Sequence, residues 1–316
     1  MDEADFAELI APYRRELRAH CYRMTGSILD ADDLLQESLL KAWKGLPTFE
    51  GRASLRTWLY TVTTRACIDA LEKKAARSLP HELGPPTDGI AAAPRFDVPW
   101  LEPAPSELAG SELAGAEPSP EARYTQRESI ALAFLTAIQR LPARQRAVLI
   151  LRDVLGWSAL DCAELVDLSV AAVNSALQRA RDTMTARPAA RPRVPRDPDE
   201  ARLVARYVMA WERADVDELV SLLHEEATLA MPPIAEWLRG ARAIAASIGD
   251  MVFRERPVLR LVPIEANGLP ALAMYRDGAP AAIHVLEIEG GRIISVVAFL
   301  EPRLLEAFGL SRTPPA

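Results

Sequence analysis

The chain has 316 residues, 49% of them hydrophobic, and a formal net charge of −7. That length exceeds what one core usually sustains, about 250 residues, so two or three domains are expected. No apolar run approaches the ~20 residues of a membrane span, and the acidic start Met1–Asp5 lacks a signal peptide's basic region. The cysteines (Cys21, Cys67, Cys162) are scattered on apolar helical positions, which predicts reduced core thiols in a cytoplasmic protein with neither disulfides nor metal.

In chain order, Phe6, Leu9, Ile10, Tyr13, Leu17 and Cys21 make one stripe at helical spacing. A second helix begins near Asp30, with Leu35, Leu39 and Ala42 on its buried side and Asp33, Gln36, Glu37 and Leu40 on another. Gly45–Gly51, with Pro47 and Phe49, breaks the pattern. A third helix then runs from near Ser54 to the basic cluster Lys73, Lys74 and Arg77, completing an all-α domain over residues 1–77. A carboxylate-rich face beside an aromatic, basic element suggests two partners of opposite charge, a basic protein surface and a nucleic acid.

Residues 78–122 hold one basic and eight acidic side chains among many prolines, and read as a linker in which Phe96 and Trp100 serve as docking anchors. Helical periodicity resumes over 123–187. Ser158 caps a short helix through Leu165, a turn follows at Val166–Leu168, and Ser169 caps a longer helix with Val170, Val173 and Leu177 facing inward. This is the helix-turn-helix pattern, and residues 123–193 are the one clearly basic block, with eleven basic and six acidic side chains. The negative charge of the whole chain therefore does not exclude DNA binding.

Residues 188–199 form a proline-rich hinge. From 200 to 312, helices (about 200–214, 216–224 and 241–248) precede alternating segments at 259–265, 271–275, 281–288 and 292–300. Asn267-Gly268, Asp277-Gly278 and Gly290-Gly291 mark tight turns between them. Helices followed by a run of antiparallel strands predict an α+β domain with the helices on one sheet face.

DADDLLQE (30–37), FEGRASLRTWLY (49–60), DALEKKAAR (69–77) and LPARQRAVLILRDVLGWSALDCAELVDLSVAAVNSALQRAR (141–181) together resemble an extracytoplasmic-function (ECF) sigma factor of the sigma-70 family. The element order from residue 200, opening on VARYVMAWERADVDELVSLLHEEATLAMPP, resembles the SnoaL-like (nuclear-transport-factor-2-like) fold. The expected architecture is multidomain: a region 2 helical bundle, a region 4 helix-turn-helix, and an α+β cone-shaped SnoaL-like domain.

The resemblance implies that Asp33, Gln36 and Glu37 bind the β′ clamp of core RNA polymerase. It also implies that the 45–54 loop and the next helix open the promoter −10 element. Unstacked bases need aromatic walls and backbone cations, for which Phe49, Arg52, Arg56 and Arg65 are the candidates, while Trp58 and Tyr60 pack their helix on the first. At the −35 element the candidates are Ser169, Ala172, Asn174, Ser175, Gln178 and Arg179, since Asn and Gln can pair adenine edges and Ser either base type. The family often has Asn at the place of Arg65, a basic residue at Asn174 and Gly at Asp167, so this promoter-reading surface is atypical.

The acidic linker resembles the segment that threads polymerase, in contact with its β subunit, near the RNA exit path. Trp211, Trp237, Phe253, Tyr275 and His284 could line a ligand pocket in the last domain, which would act as a regulatory module contacting the sigma domains. The expected function is promoter-specific transcription initiation without enzymatic activity or cofactor. The other readings are a one-component helix-turn-helix regulator with a ligand-sensing domain, or a SnoaL-like enzyme fused to a DNA-binding module.

Overall fold

Ser27 and Ser54 open two of the first three helices. Each Oγ accepts the backbone N–H three residues on, from Asp30 and Thr57, both at 3.0 Å. The computed structural model describes residues 3–108, 129–185 and 198–315. The expected linker beyond 108, the first residues of the 123–187 segment and most of the hinge lie outside the described residues. Among the described residues no helix is long and apolar enough to cross a membrane.

Helices α1 (Glu3–Thr25), α2 (Ile28–Gly45) and α3 (Leu55–Leu71) bury Leu17, Tyr22, Leu35, Leu39, Leu59 and Tyr60 against one another. Later in the chain come α4 (Leu132–Ile138), α5 (Ala143–Leu149) with a π turn at Ile150–Val154, α6 (Ala159–Val166) and α7 (Val170–Thr185). The sequence suggests two domains here, yet residues 1–77 and 106–190 form one compact unit.

Arg146, buried in α5, joins these helices. It donates to the Met24 carbonyl at the end of α1, and to the Gln139 side chain and carbonyl, both at 2.8 Å. Arg23 donates from Nε to Ser129 Oγ at 2.7 Å, and the Tyr60 and Trp157 rings meet at 5.2 Å. Burial lowers the pKa of Arg23 and of Arg146 to about 10, and both cations stay charged near neutrality.

The second unit comprises residues 78–105 and 191–316. Helices α8 (Pro198–Glu212), α9 (Val216–Leu222) and α10 (Ala241–Met251) accompany a six-stranded sheet of order β2-β1-β6-β5-β4-β3, and a short α11 (Leu304–Ala307) follows it. The strands are β1 (Leu223–Ala230), β2 (Trp237–Arg239), β3 (Leu259–Ala266), β4 (Leu269–Arg276), β5 (Ala279–Glu289) and β6 (Arg292–Phe299).

β3 to β6 form an antiparallel meander whose turns fall at the predicted dipeptides. All six turn residues, from Asn267 and Gly268 to Gly290 and Gly291, have positive φ, as two-residue hairpins demand. The sheet is mixed rather than wholly antiparallel, because β1 pairs with β6 in parallel. The three-residue β2 has too little sequence to show an alternation, and it was not anticipated.

Part of the expected linker is a strap on this second unit. Thr87 bridges Leu238 on the β2 edge, with its N–H on the Trp237 carbonyl at 2.8 Å. At the opposite edge Pro105 bridges Ala266 of β3, and Asn267 exchanges two hydrogen bonds with the Ala104 backbone at 3.0 and 3.1 Å. Edge strands offer unpaired backbone groups, and the strap engages one at each end of the sheet. Ile90 packs against the core beneath. Of the two expected anchors, Trp100 is buried with its indole N–H on the Arg95 carbonyl at 2.8 Å, whereas Phe96 is 84% exposed.

Candidate partner and nucleic-acid surfaces

Helix α2 buries Leu34, Leu35, Ser38, Leu39 and Ala42, which leaves Asp33, Gln36 and Glu37 exposed along the outer face. Leu40 (55% exposed) and Trp43 (37%) continue that row at helical spacing. Trp43 is a feature that sequence reasoning passed over; its i+7 relation to Gln36 was the available signal. Lys41 pairs with Glu37 at 2.7 Å, a solvent-exposed contact of little energetic weight. The surface is thus acidic with an apolar end, suited to a basic helical partner.

In the loop before α3, Phe49 lies against Trp58 with ring centroids 5.0 Å apart. Trp58 is half-buried rather than core, and Gly45 lies so close to it that an added Cβ would sit 3.3 Å from the ring. Tyr60 is fully buried. Arg52 is exposed and pairs with Glu50 at 2.5 Å.

Arg56 stands differently from the free cation that DNA contact would need. Its guanidinium grips Glu16 of α1 through three hydrogen bonds of 2.7 to 3.1 Å, and it lies 5.0 Å from the Tyr60 ring centroid. Burial works against its charge, but Glu16 and Tyr60 together outweigh burial and raise its pKa. Glu16 itself is fully buried, so Arg56 holds α3 to α1. Arg65 donates from Nε to the Leu165 carbonyl at 3.2 Å, joining α3 to α6.

In the helix-turn-helix, Ser158 Oγ accepts Asp161 N–H and Ser169 Oγ accepts Ala172 N–H, both at 3.1 Å. Between the helices Asp167 is left-handed, at φ 55° and ψ 54°. Val173, Ala176, Leu177 and Ala180 are buried, while Ser169, Asn174, Ser175, Gln178 and Arg179 are exposed and Ala172 is half-buried. Val170, expected inside, is 38% exposed because it starts the helix outside the packed row. Gln178 donates to Asp182 at 2.8 Å, and Arg181 pairs with Asp153 at 2.7 Å.

Two of the expected pocket residues in the second unit come together. Trp211 and His284 line a cavity of about 40 Å³ with ring centroids 4.8 Å apart. His284 Nδ1 meets the Tyr207 hydroxyl at 3.1 Å, and burial lowers the histidine pKa to about 4, so the ring is neutral. Burial pushes the Tyr207 phenol well up, an effect that the nearby Trp211 indole only partly offsets. The Trp211 N–H is directed at that hydroxyl, at the margin of hydrogen-bond geometry.

Trp237 and Tyr275 point elsewhere. Trp237 donates to the Gly84 carbonyl of the strap at 2.8 Å, and the Tyr275 hydroxyl donates to the Ser311 carbonyl at 2.9 Å. Phe253 packs edge-on against Trp211 at 5.4 Å behind the cavity. Among the described residues no group of three or more His, Cys, Asp or Glu is placed to hold a metal ion.

Comparison with known proteins follows the division of the first unit. The Sigma-70 region 2 family matches residues 9–77, and the Sigma-70 region 4 family matches residues 131–184. The ECF RNA polymerase sigma factor SigG of Mycobacterium tuberculosis is 45% identical, over 97% of this chain and 84% of its own length. SigJ of the same organism, also an ECF RNA polymerase sigma factor, is 29% identical over 96% of this chain and 92% of its own. The SigJ crystal structure aligns with 95% of this chain and 98% of its own at a TM-score of 0.58 and 24% identity, a likeness of fold that extends through the C-terminal unit.

Proposed function

The chain belongs to the ECF sigma factors of the sigma-70 family, non-enzymatic factors that direct transcription initiation with core RNA polymerase on promoter DNA, and we propose how its parts divide that work. The outer face of α2, with Asp33, Gln36 and Glu37, meets a basic helical surface on the β′ clamp of the polymerase, and Leu40 and Trp43 supply the apolar anchor. Charged rims speed association, while buried apolar groups hold a complex together. Phe49 against Trp58, with Arg52 beside them, forms the wall for an unstacked −10 base, and Arg65 joins them once free of Leu165. The exposed row Ser169, Asn174, Ser175, Gln178 and Arg179, with Ala172 at its edge, lies in the major groove at −35. The site of action is the cytoplasm, where polymerase and promoter are.

The C-terminal domain modulates this activity in cis by holding the linker. The observation that supports this is the strap: residues 78–105 are bound along the C-terminal sheet by backbone hydrogen bonds at both edges. Glu236 adds two more, accepting the Ala91 and Ala92 N–H groups at 2.6 and 2.9 Å, which also lower its pKa. An acidic segment bound in this way is unavailable to a basic channel of the polymerase. Contact between the C-terminal domain and the sigma regions thus acts through the segment that connects them.

Run-off transcription with core polymerase tests both halves. We expect promoter-specific products from the full chain, and more of them from a 1–190 truncation and from a Glu236→Ala, Asn267→Ala double variant. A complete absence of promoter-specific products from every form sinks the promoter-directing role of these surfaces. Equal output from all three forms sinks the cis control alone.

A further inference from the structure

Two cysteines that polymerase and DNA binding leave unused face each other across the first unit. Cys21 of α1 and Cys67 of α3 are both fully buried, with their Sγ atoms 3.8 Å apart in hydrogen-bond contact. The packing of α1 on α3 thus aligns two sulfurs that need to close by only about 1.8 Å to bond. The Arg146 guanidinium of α5 completes the cluster. Burial lowers its pKa and the nearby Cys67 sulfur partly opposes that, while its buried Nε completes no hydrogen bond. Leaving a buried donor unmatched is costly, so natural proteins keep few such groups. We propose that Cys21 and Cys67 are a modification site, at which a hydroperoxide converts the thiol pair to a disulfide between α1 and α3.

The surroundings give the two sulfurs different parts. A neighbouring cation favours an anionic sulfur, and the thiolate is the attacking species, so Cys67 attacks. Cys21 holds its proton, because its hydrogen bond with Cys67, then burial, push its pKa up. Cys67 Sγ takes the terminal oxygen of the hydroperoxide. The S–O bond forms as the O–O bond breaks, and the departing alkoxide or hydroxide picks up a proton. Cys21 Sγ then attacks the Cys67 sulfenic acid, the S–O bond breaks, and water departs with the Cys21 proton. Two electrons pass from the sulfurs to the peroxide, which ends as an alcohol or water. The unmatched Arg146 Nε supplies a donor for the anion of the first step.

A covered pair is inert, so the peroxide reaches it when the packing of α5 on α1 and α3 loosens. Oxidation loosens that packing further, a consequence that rests on the division of −10 and −35 work proposed above. Met24, whose carbonyl takes the Arg146 guanidinium, is three residues from Cys21 on α1. Arg65, which donates to the Leu165 carbonyl, is two residues from Cys67 on α3. Drawing the sulfurs together shifts both anchor points, each within one helical turn of the new bond.

The test treats the full chain with hydrogen peroxide, free and bound to core polymerase, then alkylates it in denaturant and weighs it. The reduced chain takes up three alkyl groups, one for each free cysteine. After peroxide we expect loss of two of them, a mass lower by two hydrogens before alkylation, and a peptide joining Cys21 to Cys67. Dithiothreitol should restore all three. Cys67→Ser should leave Cys21 open to alkylation, and Cys21→Ser should leave Cys67 as a sulfenic acid that dimedone captures. Three alkyl groups after peroxide in both the free and the polymerase-bound chain, or a link through Cys162, would overturn the site. Dimedone capture at Cys21 in Cys67→Ser, with none at Cys67 in Cys21→Ser, would overturn the assigned roles. Amide exchange in α5 and α6 should quicken in the oxidised chain. Unchanged exchange with the disulfide formed would overturn only the loosening, and run-off transcription reads the sigma activity independently.

Discussion

Arg65 donates from its guanidinium Nε to the backbone carbonyl of Leu165, 3.2 Å away, so a residue expected at the −10 element is held by the first helix of the helix-turn-helix. The acceptor lies in the last turn of α6, where carbonyls lack intrahelical partners and attract cations. At ~3.4 Å per base pair, elements named −10 and −35 lie about 85 Å apart on duplex DNA. If α3 serves −10 and α7 serves −35 as proposed, one compact unit cannot reach both while α3 touches α6, and the contact is expected to open for initiation.

Arg65→Ala should therefore do two opposed things. Losing an exposed charge-assisted hydrogen bond should ease separation of α3 from α6 by about 1 kcal/mol, visible as a longer label-to-label distance between the two helices in the free protein. Losing the cation should weaken binding to a melted −10 strand in the assembled holoenzyme. An unchanged distance distribution would mean that this hydrogen bond does not hold the helices together.

Arg56 invites a different expectation. Removing it leaves Glu16 buried without a counter-ion, so Arg56→Ala should destabilise the first unit by about 3 kcal/mol. Urea unfolding followed by the Trp58 signal measures this. Weaker DNA binding in that variant would then come from a loosened fold. A change below about 1 kcal/mol would show that the Glu16 carboxylate finds water or a proton at little cost.

His20 makes the first unit acid-sensitive. Burial chiefly, and the neighbouring Arg23 next, lower its pKa from 6.5 to about 3, with Nε2 paired to Thr64 Oγ1 at 2.8 Å. The unfolded chain takes up the proton first as pH falls, so this contribution is full above pH 6.5 and declines steadily below it. At pH 5 the loss is about 2 kcal/mol. His20→Gln should be less stable at pH 7 but lose less between pH 7 and pH 5 than the native chain. Parallel pH profiles for the two would refute the assignment.

Asp167 occupies the left-handed turn of the helix-turn-helix with φ 55°. L-residues pay roughly 1 kcal/mol there and glycine almost nothing. Asp167→Gly should stabilise this motif by about 0.5 kcal/mol, after glycine's greater freedom in the unfolded chain is set against the relieved strain. Hydrogen exchange in α6 and α7 reads the change, and faster exchange there would show that the Asp167 side chain supports the turn.

The division between what was legible and what was not follows the range of the forces involved. Helices α1, α2, α3, α6 and α7 declare themselves through spacing of buried positions. Ser158 and Ser169 mark two starts and Ser54 lies at a third, each by a hydrogen bond three residues long, whereas the same cap at Ser27 went unread and α2 was started at Asp30. The meander declares itself through three two-residue turns that need positive φ. Combined motifs were also enough for the family, because the acidic face of α2 and the exposed row of α7 each lie within one helix.

By itself, then, the sequence determined what local spacing encodes: the elements, their exposed faces and the class of partner. Only the tertiary structure decided which candidates stay available. Arg56 is taken by Glu16 and Arg65 by the Leu165 carbonyl, partners 40 and 100 residues away. Trp211 and His284 share a cavity while Trp237 and Tyr275 turn elsewhere. The proline-rich linker is held through backbone groups of Gly84, Thr87, Ala91, Arg95 and Ala104. Every residue type offers a carbonyl and nearly every one an N–H, so such contacts leave no mark in the sequence; they exist only once distant segments have been packed side by side.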